Sequence, residues 1–157
     1  MRVEFRLEPY DSAAAKVLTV AVQGEYHRRY GGPDETVLAV ADFLPPRGGY
    51  FVAYDDGEPV ASGAWRSHGE SDAEMKRLYV VDAARGRGLA RQMVALLEAD
   101  AAASGRSRMI LETGDGQPEA LALYASLGYR EVRPFGVYAN EDGAFHLGKA
   151  LDSAVAH

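Results

Sequence analysis

The sequence predicts an α/β (α+β) fold in a single domain spanning residues 1–157. Period-two apolar segments, helical-period segments and glycine-rich turns succeed one another along the chain, with no internal repeat or low-complexity stretch. A length of 157 residues suits one compact body, and 47% hydrophobic with 25% charged residues is a globular balance able to bury a core. Lys and Arg number 17 against 23 Asp and Glu, a net charge of −6, so the global field recruits neither nucleic acid nor an anionic membrane. Any anion site must be local. The absence of cysteine excludes disulfides, thiolate zinc sites and a cysteine nucleophile. The segment from Met1 to Tyr10 alternates charged and apolar residues, unlike a signal peptide, and no apolar run approaches the ~20 residues of a spanning helix. A cytoplasmic protein is expected.

Val3, Phe5 and Leu7 alternate with charged residues and predict a first strand with one buried face. Asp11 or Ser12 can cap a helix carrying Ala14, Val17, Leu18 and Ala21, interrupted at Gly24 and then by Gly31-Gly32-Pro33. Asp34 can cap a second short helix with Val37, Leu38 and Ala41, ended by Pro45-Pro46. Tyr50 to Tyr54 and Val60 to Trp65 flank Asp55-Asp56-Gly57-Glu58, a turn whose Asp-Gly pair tolerates the positive φ angles of a tight hairpin. Between Glu74 and Val81 the apolar positions slip phase around Lys76 and Arg77, which suits a β-bulge or a fully buried strand end. Leu89, Met93, Leu96 and Leu97 then line an amphipathic helix that stops near Ser104-Gly105. Met109 to Leu111 form another strand, and Pro118 opens a helix with Leu121, Tyr124 and Leu127. Gly128 stops it, two short strands follow at Tyr129 to Val132 and Phe145 to Leu151, and Asp152 to His157 are expected to fray.

The loop Arg85-Gly86-Arg87-Gly88-Leu89-Ala90 connects a strand to a helix N-terminus, where backbone N–H groups have no intrahelical partner. Glycines let a ligand approach the backbone, and Arg85, Arg87 and Arg91 add positive charge, so a pyrophosphate is the natural guest. The other reading of the hexapeptide is a solvated turn. A dinucleotide fingerprint would require glycine where Arg91 stands. A phosphate loop at Gly143 to Lys149 would require a hydroxyl where Ala150 stands, and a helix after it.

The segment Glu74-Met75-Lys76-Arg77-Leu78-Tyr79-Val80-Val81, followed by Arg85-x-x-Gly88-x-Ala90, resembles the acyl-CoA-binding motif of the GNAT superfamily of N-acetyltransferases. Ala120 to Tyr129 resembles that family's second signature, a helix bearing a tyrosine followed by leucine, glycine and an aromatic residue. Gln117 departs from the asparagine that often precedes this helix in the family. The resemblance implies a central mixed, mostly antiparallel twisted sheet of six to seven strands with about four helices, split by a V-shaped opening between two central strands. It implies acetyl-CoA as cosubstrate. The backbone N–H groups of Arg87, Gly88, Leu89, Ala90 and Arg91, with Arg85 and Gly86 in the same loop, would hold its pyrophosphate. Leu78 and Val80 would offer main-chain hydrogen bonds to its pantetheine arm, and Leu78 or Tyr79 an N–H to the oxyanion.

Transfer of an acyl group from a thioester to an amine needs a neutral amine, an oxyanion donor and a proton for the departing thiolate. The resemblance makes Tyr124 the general acid; without it, Tyr124 reads as a core residue beside Leu121 and Leu127. Glu74, 11 residues before Arg85, stands where histone-type members carry a catalytic glutamate. Its other readings are an exposed carboxylate paired with Lys76 or Arg77, or a bystander to a water chain. Glu112 on the neighbouring strand is a second candidate base. His27, His68, His146 and His157 lack metal-site spacing, so no metal is predicted. Asp56, Glu58, Glu70 and Asp72 read as solvated turn charges, and Tyr50 and Trp65 as packing residues.

The acceptor, by resemblance, would lie between the elbow Gln23 to Asp34 and the loop Phe135 to Gly143, which suits the primary amine of a small molecule or amino acid. Alternatives are a protein or peptide N-terminus as acceptor, a non-catalytic acyl-CoA-binding module, or a nucleotide-binding fragment. Neither nucleic acid nor a membrane is an expected partner; the resemblance leaves a homodimer open.

Overall fold

The computed structural model describes residues 2–152, so the tail expected to fray from Ser153 onward lies outside the described residues. Seven strands form one sheet in the order β1-β2-β3-β4-β5-β7-β6. They are β1 (Val3–Leu7), β2 (Gly48–Asp55), β3 (Glu58–His68), β4 (Asp72–Val80), β5 (Arg108–Gly114), β6 (Arg130–Glu131) and β7 (Ala144–Ala150). All neighbours are antiparallel except β4 and β5. Three α-helices accompany them: α1 (Ala13–Tyr30), α2 (Leu89–Ala103) and α3 (Pro118–Ser126).

The fourth helix expected after Asp34 does not form. Residues 33–39 are irregular and only a 3₁₀ turn follows at Val40–Phe43. Asp34 is drawn inward by basic side chains of the sheet, and although its Oδ1 accepts from the Thr36 N–H at 3.0 Å, no helical turn follows it. α1 also departs from its expected face. It runs through Gly24 and buries Ala15, Leu18, Val22 and Glu25, leaving Val17 exposed. Its start follows expectation, since the Ser12 hydroxyl accepts from the Ala15 N–H at 3.1 Å.

The sheet separates two cores. On one face Trp65, Met75, Met109 and Leu111 pack beneath Met93, Val94 and Leu97 of α2, with Tyr124 of α3 in the same cluster. On the other, Tyr50, Val52 and Ala64 pack with Phe43 and with Ala15 and Leu18 of α1. Gly63 lets α2 lie close: a Cβ there would fall 2.5 Å from Met93 Cγ. Strand alternation therefore turns Glu74, Lys76, Glu112 and His146 toward the α1 face.

Two irregularities build the site. The first is the expected bulge, where Ser62 pairs with Tyr79 but Ala64 with Lys76, so Gly63 faces both Arg77 and Leu78. Arg77 adopts a φ of 59° there. Two successive side chains, Lys76 and Arg77, consequently reach the same carboxylate, Asp34. The second is the brevity of the parallel pairing. Asp72, Ala73 and Glu74 pair with Arg108, Met109 and Ile110, and beyond them β4 and β5 part. Asp72 is no solvated turn charge: it grips Arg108 through contacts of 3.0 and 2.8 Å and clamps the closed end of this wedge. Among the described residues no helix is long and apolar enough to cross a membrane.

Candidate active site

Beyond Glu74 the edge of β4 facing β5 has no strand partner, and a cleft of about 320 Å³ opens along it. Leu78, Tyr79 and Val80 form one wall. The far end is closed by Arg85, Gly86, Gly88, Leu89, Ala90 and Arg91, so every residue expected around the cosubstrate lines the cleft except Arg87. Gly88 is the N-cap of α2 with a φ of 77°, in the left-handed region that glycine tolerates best, and no side chain caps the helix. The first-turn N–H groups are thus aimed at the cleft without an intrahelical partner. This donor set fits a pyrophosphate, and the unpaired strand edge fits an amide-bearing arm.

The arginines of the loop are largely held by the protein. Arg85 donates to the Val80 carbonyl at 3.0 Å and pairs with Asp82 at 2.8 Å. Arg87 reaches Asp55 at 3.1 Å, and Arg91 the Ser126 hydroxyl at 2.9 Å. They shape the loop, and the donors it leaves open at the start of α2 are chiefly backbone.

The cleft meets a larger cavity of about 520 Å³, the two sharing Tyr26, Leu78, Gln117 and Ala120. Tyr124 lines this cavity and is buried, its ring edge-to-face with Tyr129 at 5.6 Å between centroids. Burial, with the nearby Tyr26 phenol, pushes the Tyr124 hydroxyl well above its ordinary value, so it keeps its proton at neutral pH.

Glu74 and Glu112 part company. Glu74 is buried, bonded to Arg66 Nε at 3.0 Å, and is not among the lining residues of the cavity. Its partners are Arg66 and, at 3.7 Å, His68 Nδ1, neither Lys76 nor Arg77. Arg66 in turn donates to the Val37 carbonyl at 2.9 Å, so Glu74 helps anchor the irregular 33–39 segment to the sheet. Glu112 does line the cavity. Its side chain is 5% exposed, Oε2 lies 3.0 Å from His146 Nε2, and Oε1 is buried without a hydrogen-bond partner. Burial raises its carboxyl above the usual range and the Glu74 charge adds to this; the His146 contact and the Lys76 charge oppose but do not cancel it.

The cavity floor holds a buried ionic cluster not foreseen from sequence. Asp34 Oδ2 meets Lys76 Nζ at 2.8 Å and Arg77 Nη1 at 2.9 Å. Burial alone would raise the Asp34 carboxyl; the Lys76 ammonium and the Thr36 N–H overcome this and hold it well below the carboxylate range. Tyr138 donates to Asp34 Oδ1 at 3.0 Å and accepts from the Glu35 N–H at 2.7 Å, tying the C-terminal loop to the elbow after α1. The sequence signals for this cluster were the pair of cations, Lys76 and Arg77, inside an otherwise buried strand, and the two acceptor segments that hold Asp34 and Tyr138, with nothing to pair them. His146, read from spacing as a background residue, is buried against Glu112.

Comparison with known proteins agrees with this geometry. Residues 9–129 match the model of the acetyltransferase (GNAT) family. An IAA acetyltransferase of Azospirillum brasilense is 31% identical over 123 residues, covering 78% of this chain and 80% of that protein. A solved structure of a candidate acyl-CoA N-acyltransferase from Klebsiella pneumoniae superposes with a TM-score of 0.81 at 26% identity, covering 96% of this chain and 98% of that one. A GNAT acetyltransferase of Elizabethkingia anophelis with acetyl-CoA bound shares the fold, with a TM-score of 0.68 at 15% identity over 95% of this chain and 98% of that one. A backbone-lined cleft at the wedge between β4 and β5, the loop ending in Gly88 and a family match across both make this chain a member of the GNAT family of N-acetyltransferases.

Proposed function

We propose that the protein moves an acetyl group directly from acetyl-CoA to a primary amine of a small molecule or amino acid, with the thioester at the junction of cleft and cavity. The observation that carries this reading is that junction: the donor cleft opens at Leu78 into a cavity of about 520 Å³ whose walls bear both Tyr124 and Glu112. The bridge from Tyr138 to Asp34 and Glu35 closes one side of the cavity, which favours a compact acceptor over a folded protein surface.

Glu112 takes a proton from the acceptor ammonium, aided by a carboxyl raised toward the working range. The freed amine attacks the thioester carbon, the C–N bond forms, and the oxyanion is met by the Leu78 or Tyr79 N–H. The C–S bond then breaks and the Tyr124 phenol protonates the departing thiolate. Glu74 acts at one remove, as a positioning carboxylate held by Arg66.

The test is thiol release from acetyl-CoA over a panel of small amines and peptides, with Tyr124→Phe alongside. Wild type should turn over small amines, and Tyr124→Phe should lose about 10²-fold in kcat with little change in coenzyme A affinity. Binding of acetyl-CoA with no turnover on any amine would contradict the proposal, and exclusive turnover of peptides would move the acceptor class.

A further inference from the structure

The acceptor cavity carries six carboxylates, Asp34, Glu35, Glu112, Asp115, Glu141 and Asp142, against two cations, Lys76 and Arg77. Both cations are committed to Asp34. Glu35, Asp115, Glu141 and Asp142 are exposed, and none forms an ion pair with a described basic group. An acidic rim over low-dielectric walls focuses a negative potential into the cavity. Deeper in, Glu112 Oε1 is buried and unpartnered, in a side chain 5% exposed. The wall behind it is Gly136, where a Cβ would fall 2.9 Å from that oxygen. A buried acceptor without a donor calls for one, and a primary ammonium supplies three N–H groups.

Aromatic rings complete the surroundings. Tyr26, Tyr30 and Tyr138 line the same cavity. Tyr30 lies against Gly114, whose added Cβ would fall 2.5 Å from the phenol oxygen, and Asp115, the next residue along, lines the same cavity. A carboxylate beside a phenol ring suits an alkylammonium, held by charge and by the ring face. Asp115 stands three residues along the chain from Glu112, roughly 10 Å at the rise of a strand.

We propose that the preferred acceptor is a diamine or polyamine, one nitrogen entering beside Glu112 while a second, cationic nitrogen rests on the rim formed by Asp115 and Glu141. The proposal rests on the acetyl-transfer reading above and names its substrate class. An amino acid fits less well, because Lys76 and Arg77 are both engaged by Asp34 and its carboxylate would have to pass the acidic rim of Glu35, Asp115, Glu141 and Asp142.

The test compares cadaverine, pentylamine and lysine as acceptors with acetyl-CoA as donor, for wild type and the double variant Asp115→Asn/Glu141→Gln. Cadaverine should exceed pentylamine in kcat/KM by about tenfold at low ionic strength, and the ratio should shrink severalfold in concentrated salt as the rim is screened. The double variant should narrow the same ratio through KM. A ratio near one, a preference for lysine over cadaverine, or a ratio indifferent to both salt and the double variant would overturn the proposal. Calorimetric titration of cadaverine into the protein with coenzyme A present separates the two readings. Cadaverine binding that the double variant loses, with no amine acetylated, supports this substrate class and defeats the transfer reading. Acetylation of monoamines and diamines alike supports transfer and defeats this proposal.

Discussion

The cleft and the cavity meet at Leu78, yet they are built by different means. The cleft is made of backbone: the unpaired edge of β4 and the uncapped first turn of α2, with the loop arginines turned back onto Val80, Asp55 and Ser126. The cavity is made of side chains, several of them ionic and buried, drawn from α1, the irregular segment after it, β4, β5 and the C-terminal loop. A backbone site can hold the same ligand with many different side chains around it. A side-chain site can be retuned one residue at a time. On the proposed reading, the common chemistry of the family belongs to the first region and this chain's own selectivity to the second.

Glu112 tests the cavity most severely. Glu112→Gln removes the only carboxylate in the cavity that is buried, unpartnered at one oxygen and raised by burial. It should lower kcat/KM by about 10²- to 10⁴-fold while leaving coenzyme A affinity intact. The sign of the pH effect follows from the raised carboxyl: the base is ionised only above its elevated value, so wild-type kcat/KM should fall as pH drops through it. That limb should vanish in Glu112→Gln. If Glu74→Gln and not Glu112→Gln abolishes turnover, the base is on β4 and the comparison must be redrawn.

The Asp34 cluster is the next lever, and it acts on stability. Asp34→Asn leaves two buried cations without their anion and should cost about 3 kcal/mol or more. Because the folded Asp34 carboxyl lies below its unfolded value, its contribution is fully present above the ordinary aspartate range of about 4 and is lost as pH falls through the folded value. Denaturant melts should therefore show the gap between wild type and Asp34→Asn closing as pH is lowered below about 4. A gap that is constant with pH would mean the cluster stabilises through shape and not charge.

The same contrast explains what could be read from sequence. The cleft was legible because its determinants are local. Asp56-Gly57 set the hairpin, the phase slip at Lys76 and Arg77 marked the bulge, and Gly86 and Gly88 marked a helix start open to an anion. The cavity was legible only as a pair of segments. Its contacts join Asp34 to Lys76 and Arg77, Tyr138 to Asp34, and Glu112 to His146, pairs separated by 34 to 104 residues. No periodicity encodes such pairings. Such a pairing accounts for one misread element, Asp34, which pairs inward where a cap was expected; the other is local, since α1 buries Glu25 because Arg28 and Arg29, one turn on, satisfy it at 2.6 and 2.9 Å. A helical face chosen by hydrophobicity alone misses a carboxylate buried with its partners.

The central claim is that backbone donors at the start of α2 hold the acyl donor. Calorimetric titration of acetyl-CoA into wild type and Gly88→Val tests it most directly. A Cβ at Gly88 meets nothing within 4 Å, so the variant clashes with no neighbour and carries about 1–2 kcal/mol or more of left-handed strain, while the side chain stands beside the unpaired N–H groups. The account predicts clear binding to wild type and a loss of about tenfold or more in the folded variant. Equal affinity in the two proteins, or no binding to either, would contradict it.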